Sequence, residues 1–384
     1  MRLSWGTFYA FLFLYRCLYS VLGQTLIFRL TTPADTSSYQ QNGIGYVLTA
    51  VDALNLSPQF GQQQQANWIT IIIGAIFNFA SGGNPILINI WFQALAFIGI
   101  WRLLAAVEPE QRRFLALLVM FPSFSLWSSV ASKEAIVVFL VGMLCSLAVQ
   151  VYRGAGRFSL RHGFFLVALY IFKPHFVPAL LFLLFLPVFA ERVRQRAALA
   201  LMAGVVSLIP LYIWRDTIDR TVLAVATSMY NEGGLSTRSV RLLVEPYDYF
   251  VRAPEGMLLA LIGPTWSEIS SGVLHLASFA ESMLMLGMLL VYVTPRLPRL
   301  PAYLAIVSGF ALFWIMFATY PAGIANPGTA VRYRTDWILV VYLVAVVLMS
   351  PRTLTQWRGT GRQRPRLQRS QARIDGPAAS PSLP

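Results

Sequence analysis

The stretch "GFFLVALYIFKPHFVPALLFLLFLPVFA" (residues 163–190) is apolar except at its middle, where Lys173, Pro174 and His175 interrupt it. A helix needs roughly 20 apolar residues to cross the ~30 Å of hydrocarbon in a bilayer. A proline in a helix interior removes a backbone hydrogen bond and clashes with the preceding turn. The stretch is therefore either one long span broken at Lys173-Pro174 or two short limbs meeting at the outer face. Arginine-rich segments flank both ends, "RGAGRFSLR" (153–161) and "RVRQR" (192–196). Positive charge collects on the cytoplasmic side, which favours two limbs.

Comparable apolar runs recur along the whole chain of 384 residues, 57% of which are hydrophobic and 12% charged. A soluble domain carries about 25% charged residues. Backbone polar groups in lipid must be satisfied within helices or closed barrels, and these runs are too long and too uniform for barrel strands. The composition predicts an all-α, polytopic bundle of transmembrane helices. The net charge of +14 is almost wholly arginine, spread over short loops and a C-terminal tail. That distribution is a topology signal rather than a nucleic-acid footprint. Cys17 and Cys145 both lie within apolar spans, with no metal or disulfide spacing.

The arginine clusters at 102–113, 153–161, 192–196 and 296–299 thread the chain. Helices are expected near 5–29, 86–106, 114–131, 135–152, 197–213, 272–294, 301–320 and 337–350, with the first retained rather than cleaved. The run at 67–83 is short for a span and reads as re-entrant or tilted. About ten crossings result, with both termini cytoplasmic. A helical domain would cover 1–350, with outer loops at 31–66, 214–270 and 320–337. Residues 351–384 read as a disordered basic cytoplasmic tail.

The unusual polar residues share the predicted outer face. Asp35 in "PADTSSYQ" reads as a general base or as a helix N-cap. Lys133 and Glu134 in "FPSFSLWSSVASKEAIVVFL" (121–140) read as a solvated hairpin, with Ser132 capping the next helix and Glu134 a first-turn charge. The functional reading puts Lys133 in an outward cavity as an anion contact, with Trp127, Ser128 and Ser129 lining it. Lys133 and Lys173 are the only lysines in the chain, and both fall in breaks on this face. Lys173 beside His175 suits a phosphate, or proton transfer by the histidine. Arg332, Tyr333 and Arg334 enter the last helix against the charge bias, so they suit phosphate, lipid headgroups or an ion pair with Asp336. In 214–270, Arg215, Asp216, Asp219, Arg238 and Trp266 fit a sugar-binding surface or interfacial helices equally. Asp216 and Asp219 offer oxygens to a divalent cation, but no metal or other cofactor can be assigned.

Several motifs resemble those of bacterial GT-C-type membrane glycosyltransferases and exopolysaccharide polymerase-like membrane proteins. They are Asp35 with Tyr39 (D-x-x-x-Y), "FPSFSLWSSVASKE", "IFKPH", "IGPTWSE…ASFAES" and "NPGTAVRYR". The resemblance implies a GT-C-like bundle and a polyprenyl phosphate- or diphosphate-linked saccharide donor. A saccharide or lipid-linked acceptor would take the sugar at the outer face, in cell-envelope polysaccharide assembly. By that analogy Asp35 is the catalytic base, and Lys133, Lys173, Arg332 and Arg334 hold the leaving phosphate. The first outer loop carries Asp35 alone and not a clear acidic pair, which leaves metal use open. The competing expectation is a carrier or flippase for an anionic lipid or solute that uses the same cations.

Overall fold

The computed structural model describes residues 4–30, 36–41, 62–153, 158–190, 195–231, 238 and 243–348, and among these it is helical with no strands. The chain opens with α1 (Trp5–Leu22), which continues through a π-helical turn at Gly23–Ile27. Then come α2 (Thr36–Gln41), α3 (Gln62–Ala80), α4 (Pro85–Ala106), α5 (Pro109–Val119), α6 (Pro122–Trp127) and α7 (Lys133–Tyr152). Next are α8 (Leu160–Phe172), a 3-10 turn at Pro174–Phe176, α9 (Val177–Ala190), α10 (Arg196–Ile213) and α11 (Arg215–Asn231). The last part holds α12 (Asp248–Val251), α13 (Ala253–Ile262), α14 (Val273–Val293), α15 (Ala302–Ile324) and α16 (Pro327–Tyr342).

Among the described residues, five helices are long and apolar enough to cross a membrane: α4, α7, α10, α14 with its 3-10 extension to Arg299, and α15. They are compatible with a multi-pass membrane protein. Burial separates centre from rim: 78% of the α7 window is buried within the protein, against 11% for α10 and 17% for α14. An apolar helix with so much uncovered surface suits a lipid-facing position. α7 is the axis, and α4 packs on it where Gly99 meets Gly142. A β-carbon on Gly99 would lie 2.6 Å from the Phe139 carbonyl oxygen, so only glycine permits this approach. Small residues at a helix crossing let backbones come close enough for dense packing.

Polar contacts give the helix directions. Asn89 reaches Ala131 at one end of the α4–α7 pair, and Arg153 reaches the Ala106 carbonyl at the other, so α4 and α7 run parallel. α5 and α6 make the return crossing between them. α1 is antiparallel to α4, because Asn89 contacts Ser20 and Gln93 contacts Phe13.

The 163–190 stretch is a hairpin. Pro174 ends α8, and α9 folds back until Phe185 meets Phe158, with ring centroids 5.1 Å apart. Lys173 sits at the vertex. Three other expectations need correction. The single helix expected at 114–131 is α5 and α6, separated at Met120–Phe121 and followed by the irregular Ser128–Ser132. The loop expected at 214–270 is largely helical, as α11, α12 and α13. The loop expected at 320–337 is the end of α15 and the start of α16, which begins at Pro327 rather than near 337. Asn326 caps α16, its Oδ1 accepting from the Thr329 N–H at 3.1 Å; asparagine followed by proline starts a helix as readily as it makes a loop. The run at 67–83 is the apolar part of α3 with the turn at Ser81–Gly83 after it, and this helix is too short and too polar at its start to count among the long apolar ones.

Candidate functional site

The site is built on the irregular Ser128–Ser132, the segment between α6 and α7. Ser128, Ser129, Val130 and Ala131 are fully buried, so their backbone groups need protein partners. α1 and α4 supply them. Arg16 Nη2 donates to the Ser128 carbonyl at 3.1 Å and to its hydroxyl at 2.7 Å. Ser20 donates to the Ser129 carbonyl at 2.8 Å, and Ala131 N–H donates to Asn89 Oδ1 at 2.8 Å. Gln40 donates to the same Asn89 oxygen at 2.8 Å and to Gln24 at 2.9 Å. Ser128 and Ser129 therefore anchor a break in the bundle instead of lining an open cavity.

That anchored break aims the start of α7. Ser132 caps the helix as expected, accepting from Ala135 N–H at 3.2 Å. Lys133 is half-buried at the first helical position. Glu134 is more than a first-turn charge: it is fully buried and held by Arg332 of α16, Nε to Oε1 at 2.8 Å and Nη2 to Oε2 at 3.2 Å. One helical turn further along α16, Asp336 pairs with Lys173 from the hairpin vertex, Nζ to Oδ2 at 2.9 Å. Tyr333 lies between the two pairs, with Lys173 4.3 Å and Arg332 5.8 Å from its ring centroid. Arg332 also lies 5.6 Å from the Trp127 ring. The cluster thus alternates in sign, Lys173, Asp336, Arg332, Glu134, and joins α7, the α8–α9 hairpin and α16. The cationic side chains keep some exposure, 15% for Lys173 and 13% for Arg332, while both carboxylates have none. His175 follows Lys173 and packs edge-on against Phe176.

Arg334 does not join this cluster, contrary to the sequence expectation. It is buried and consumed by a second one, donating to Ser282 Oγ at 2.6 Å, the Leu261 carbonyl at 3.2 Å and Ser123 Oγ at 3.2 Å, with Glu281 at 3.5 Å. The Ser123 hydroxyl and N–H both donate to Glu281. Residues two apart on a helix face different directions, so Arg332 and Arg334 cannot share one ligand here. The expected ion pair of these arginines with Asp336 is likewise replaced by Lys173–Asp336.

The candidates from 214–270 also have structural partners. Arg238 donates to Glu268 at 2.6 and 3.2 Å, and to the carbonyls of Gly263, Gly323 and Ile324. It satisfies carbonyls at the C-terminal end of α15, where a cation is favoured. Burial opposes ionisation of Glu268, but its bonds to Arg238 and Thr265 hold its carboxyl below the ordinary value. Asp219 accepts from Tyr247 N–H at 2.9 Å and Asp216 from the Tyr247 hydroxyl at 2.7 Å; Tyr247 has φ 68°. These aspartates therefore stabilise a strained turn. Asp216 also faces Arg215 at 3.6 Å, an exposed pair. Trp266 is 74% exposed and touches Phe279. Among the described residues no group of three or more His, Cys, Asp or Glu converges on a metal position. Tyr39 is buried on α2, its hydroxyl 3.1 Å from Asn67 Oδ1. Asp35 lies outside the described residues, as does the tail after Leu348.

Sequence reading passed over Glu281 and Arg16 as candidates and met Asp336 only as a partner for the arginines. Glu281 had a usable signal, a carboxylate within the apolar run 273–293. Arg16 is a lone arginine in the first apolar run, and the serine it hydrogen-bonds, Ser128, is 112 residues away.

No protein-family model, curated protein or solved structure matches the chain.

Proposed function

We propose that the chain is a membrane glycosyltransferase or polymerase that uses a polyprenyl-(di)phosphate-linked sugar donor in surface or exopolysaccharide assembly. One observation carries the reading: Lys173 and Arg332 lie on one cluster around Tyr333, both partly exposed, at the vertex of a hairpin. A departing lipid phosphate needs cations held ready in a partly dry site, where electrostatic help is a large catalytic term. In this reading Lys173 and Arg332, with Lys133 at the edge, receive the phosphate, and Tyr333 and Trp127 bound the sugar side. Asp35 is the candidate base, and His175 a candidate proton carrier. The shorter apolar helices complete about ten crossings of a bacterial inner membrane, with both termini cytoplasmic and the cluster at the outer face. Because each cation already holds a carboxylate, phosphate binding requires Asp336 and Glu134 to give up part of their contacts. The test is transfer of a labelled sugar from a polyprenyl-phosphate donor by purified protein. Asp35→Asn should abolish transfer with expression intact, and Lys173→Met combined with Asp336→Asn, which leaves no buried carboxylate without its cation, should abolish it in a folded protein; transfer at the wild-type rate in both would sink the assignment.

The charge-balanced pairs also favour a second reading, a carrier or flippase for an anionic lipid-linked saccharide or solute. Paired charges between helices near a broken one are what a gate requires. Solute counterflow in liposomes, without sugar transfer, would select it.

A further inference from the structure

Away from the charged cluster, the α1–α4 face carries an open groove of about 420 Å³ lined by Tyr9, Ala10, Phe13, Leu14, Phe97 and Trp101. Its walls are almost wholly apolar, and Phe13 and Phe97 in its lining meet edge-to-face at 5.2 Å. The antiparallel α1–α4 pairing places it in the half of the bundle opposite Lys173. At its end the Arg102 guanidinium lies 4.9 Å from the Trp101 ring that lines it. Arg102 is exposed. Arg112 stands nearby, 4.4 Å from the Trp5 ring, and donates through Nη2 to the carbonyls of Ala105 and Val107.

We infer that this groove holds one acyl chain of an anionic phospholipid, with the lipid phosphate on Arg102. Three physical facts select this occupant. The groove opens on the side of a helix long and apolar enough to cross a membrane, where leaving it empty forfeits dispersion contacts and filling it with water is unfavourable. Its aromatic walls suit a flexible hydrocarbon chain and offer almost nothing to a polar solute. Its charged end presents a guanidinium stacked on tryptophan, which leaves its N–H fork free for phosphate oxygens. Basic positions between spanning helices recognise anionic headgroups by this chemistry.

The inference does not depend on the proposed reaction, and its test reads lipid rather than sugar. The full chain is reconstituted in vesicles of equal phosphatidylcholine and phosphatidylglycerol, extracted in mild detergent, and its retained lipid counted by native mass spectrometry. Wild type should retain phosphatidylglycerol in preference to phosphatidylcholine. Arg102→Gln should keep a lipid but lose about fivefold of that preference, the factor that one surface cation contributes. Ala10→Trp fills the groove and should retain neither lipid. Should that variant fail to fold, Trp101 reports directly: brominated-chain phosphatidylglycerol should quench wild type more than Trp101→Phe. Undiminished preference in Arg102→Gln, or equal quenching of wild type and Trp101→Phe, overturns the assignment.

Discussion

Arg332 grips Glu134 through two hydrogen bonds, at 2.8 and 3.2 Å, across 198 residues of sequence. The carboxylate is fully buried and the guanidinium is 13% exposed. Breaking such a pair from one side costs more than the pair contributes, because the survivor stays buried and unpaired. Glu134→Ala should therefore lower stability by about 3–5 kcal/mol. The exchange Glu134→Arg with Arg332→Glu should recover part of that loss, read as thermal unfolding in detergent. The proposed sugar transfer should not recover with it, since the cation then stands on α7 instead of α16.

Lys173 and Asp336 make the second pair, and a double-mutant cycle separates its structural share from its functional one. Lys173→Met alone leaves the Asp336 carboxylate buried without its cation and should be strongly destabilising. Adding Asp336→Asn removes that burden, so the double variant should unfold close to the wild-type temperature. Binding of a polyprenyl phosphate probe should be lost in both. A double variant that binds the probe normally would remove Lys173 from the site.

The α4–α7 crossing should be the least tolerant part of the bundle. A β-carbon at Gly142 would approach Gly99 backbone atoms to between 2.5 and 2.8 Å. Overpacking by one methyl group typically costs about 1–3 kcal/mol, and here the obstacle is backbone that cannot rotate away. Gly142→Ala should lower the midpoint of unfolding, and Gly142→Leu should prevent recovery of a monodisperse protein. Gly309, whose β-carbon would meet nothing within 4 Å, is the control: Gly309→Ala should be neutral or slightly stabilising.

Arg238 ties the end of α15 to the turn after α13, so Arg238→Ala should destabilise by about 2–4 kcal/mol through the buried acceptors it leaves. Its partner Glu268 has a carboxyl held below the ordinary value when folded. The contribution of the pair is therefore complete above the unfolded glutamate pKa of about 4.3 and fades as pH falls through the lower folded value. Unfolding temperatures measured from neutral pH into that acid range should show a drop in wild type that is smaller in Glu268→Gln.

Much of this protein follows from the order of its residues alone. Long apolar runs oblige the backbone to satisfy itself in helices. Ser132 before Lys133-Glu134 sets a helix start, and Pro174 sets a break, because caps and prolines act over one turn. The same local logic misread 320–337, where Asn-Pro-Gly suggested a turn and instead starts α16. Partners lay beyond it altogether. Nothing near Glu134 in sequence announces Arg332, nothing near Lys173 announces Asp336, and Arg332 and Arg334, two residues apart, are sent to different clusters. Those choices depend on which helix faces meet, and that is settled by packing at places such as Gly99 against Gly142. Charges in an apolar interior must find opposite charges or polar partners, so the sequence sets the need, and only the tertiary structure decides which residue meets it.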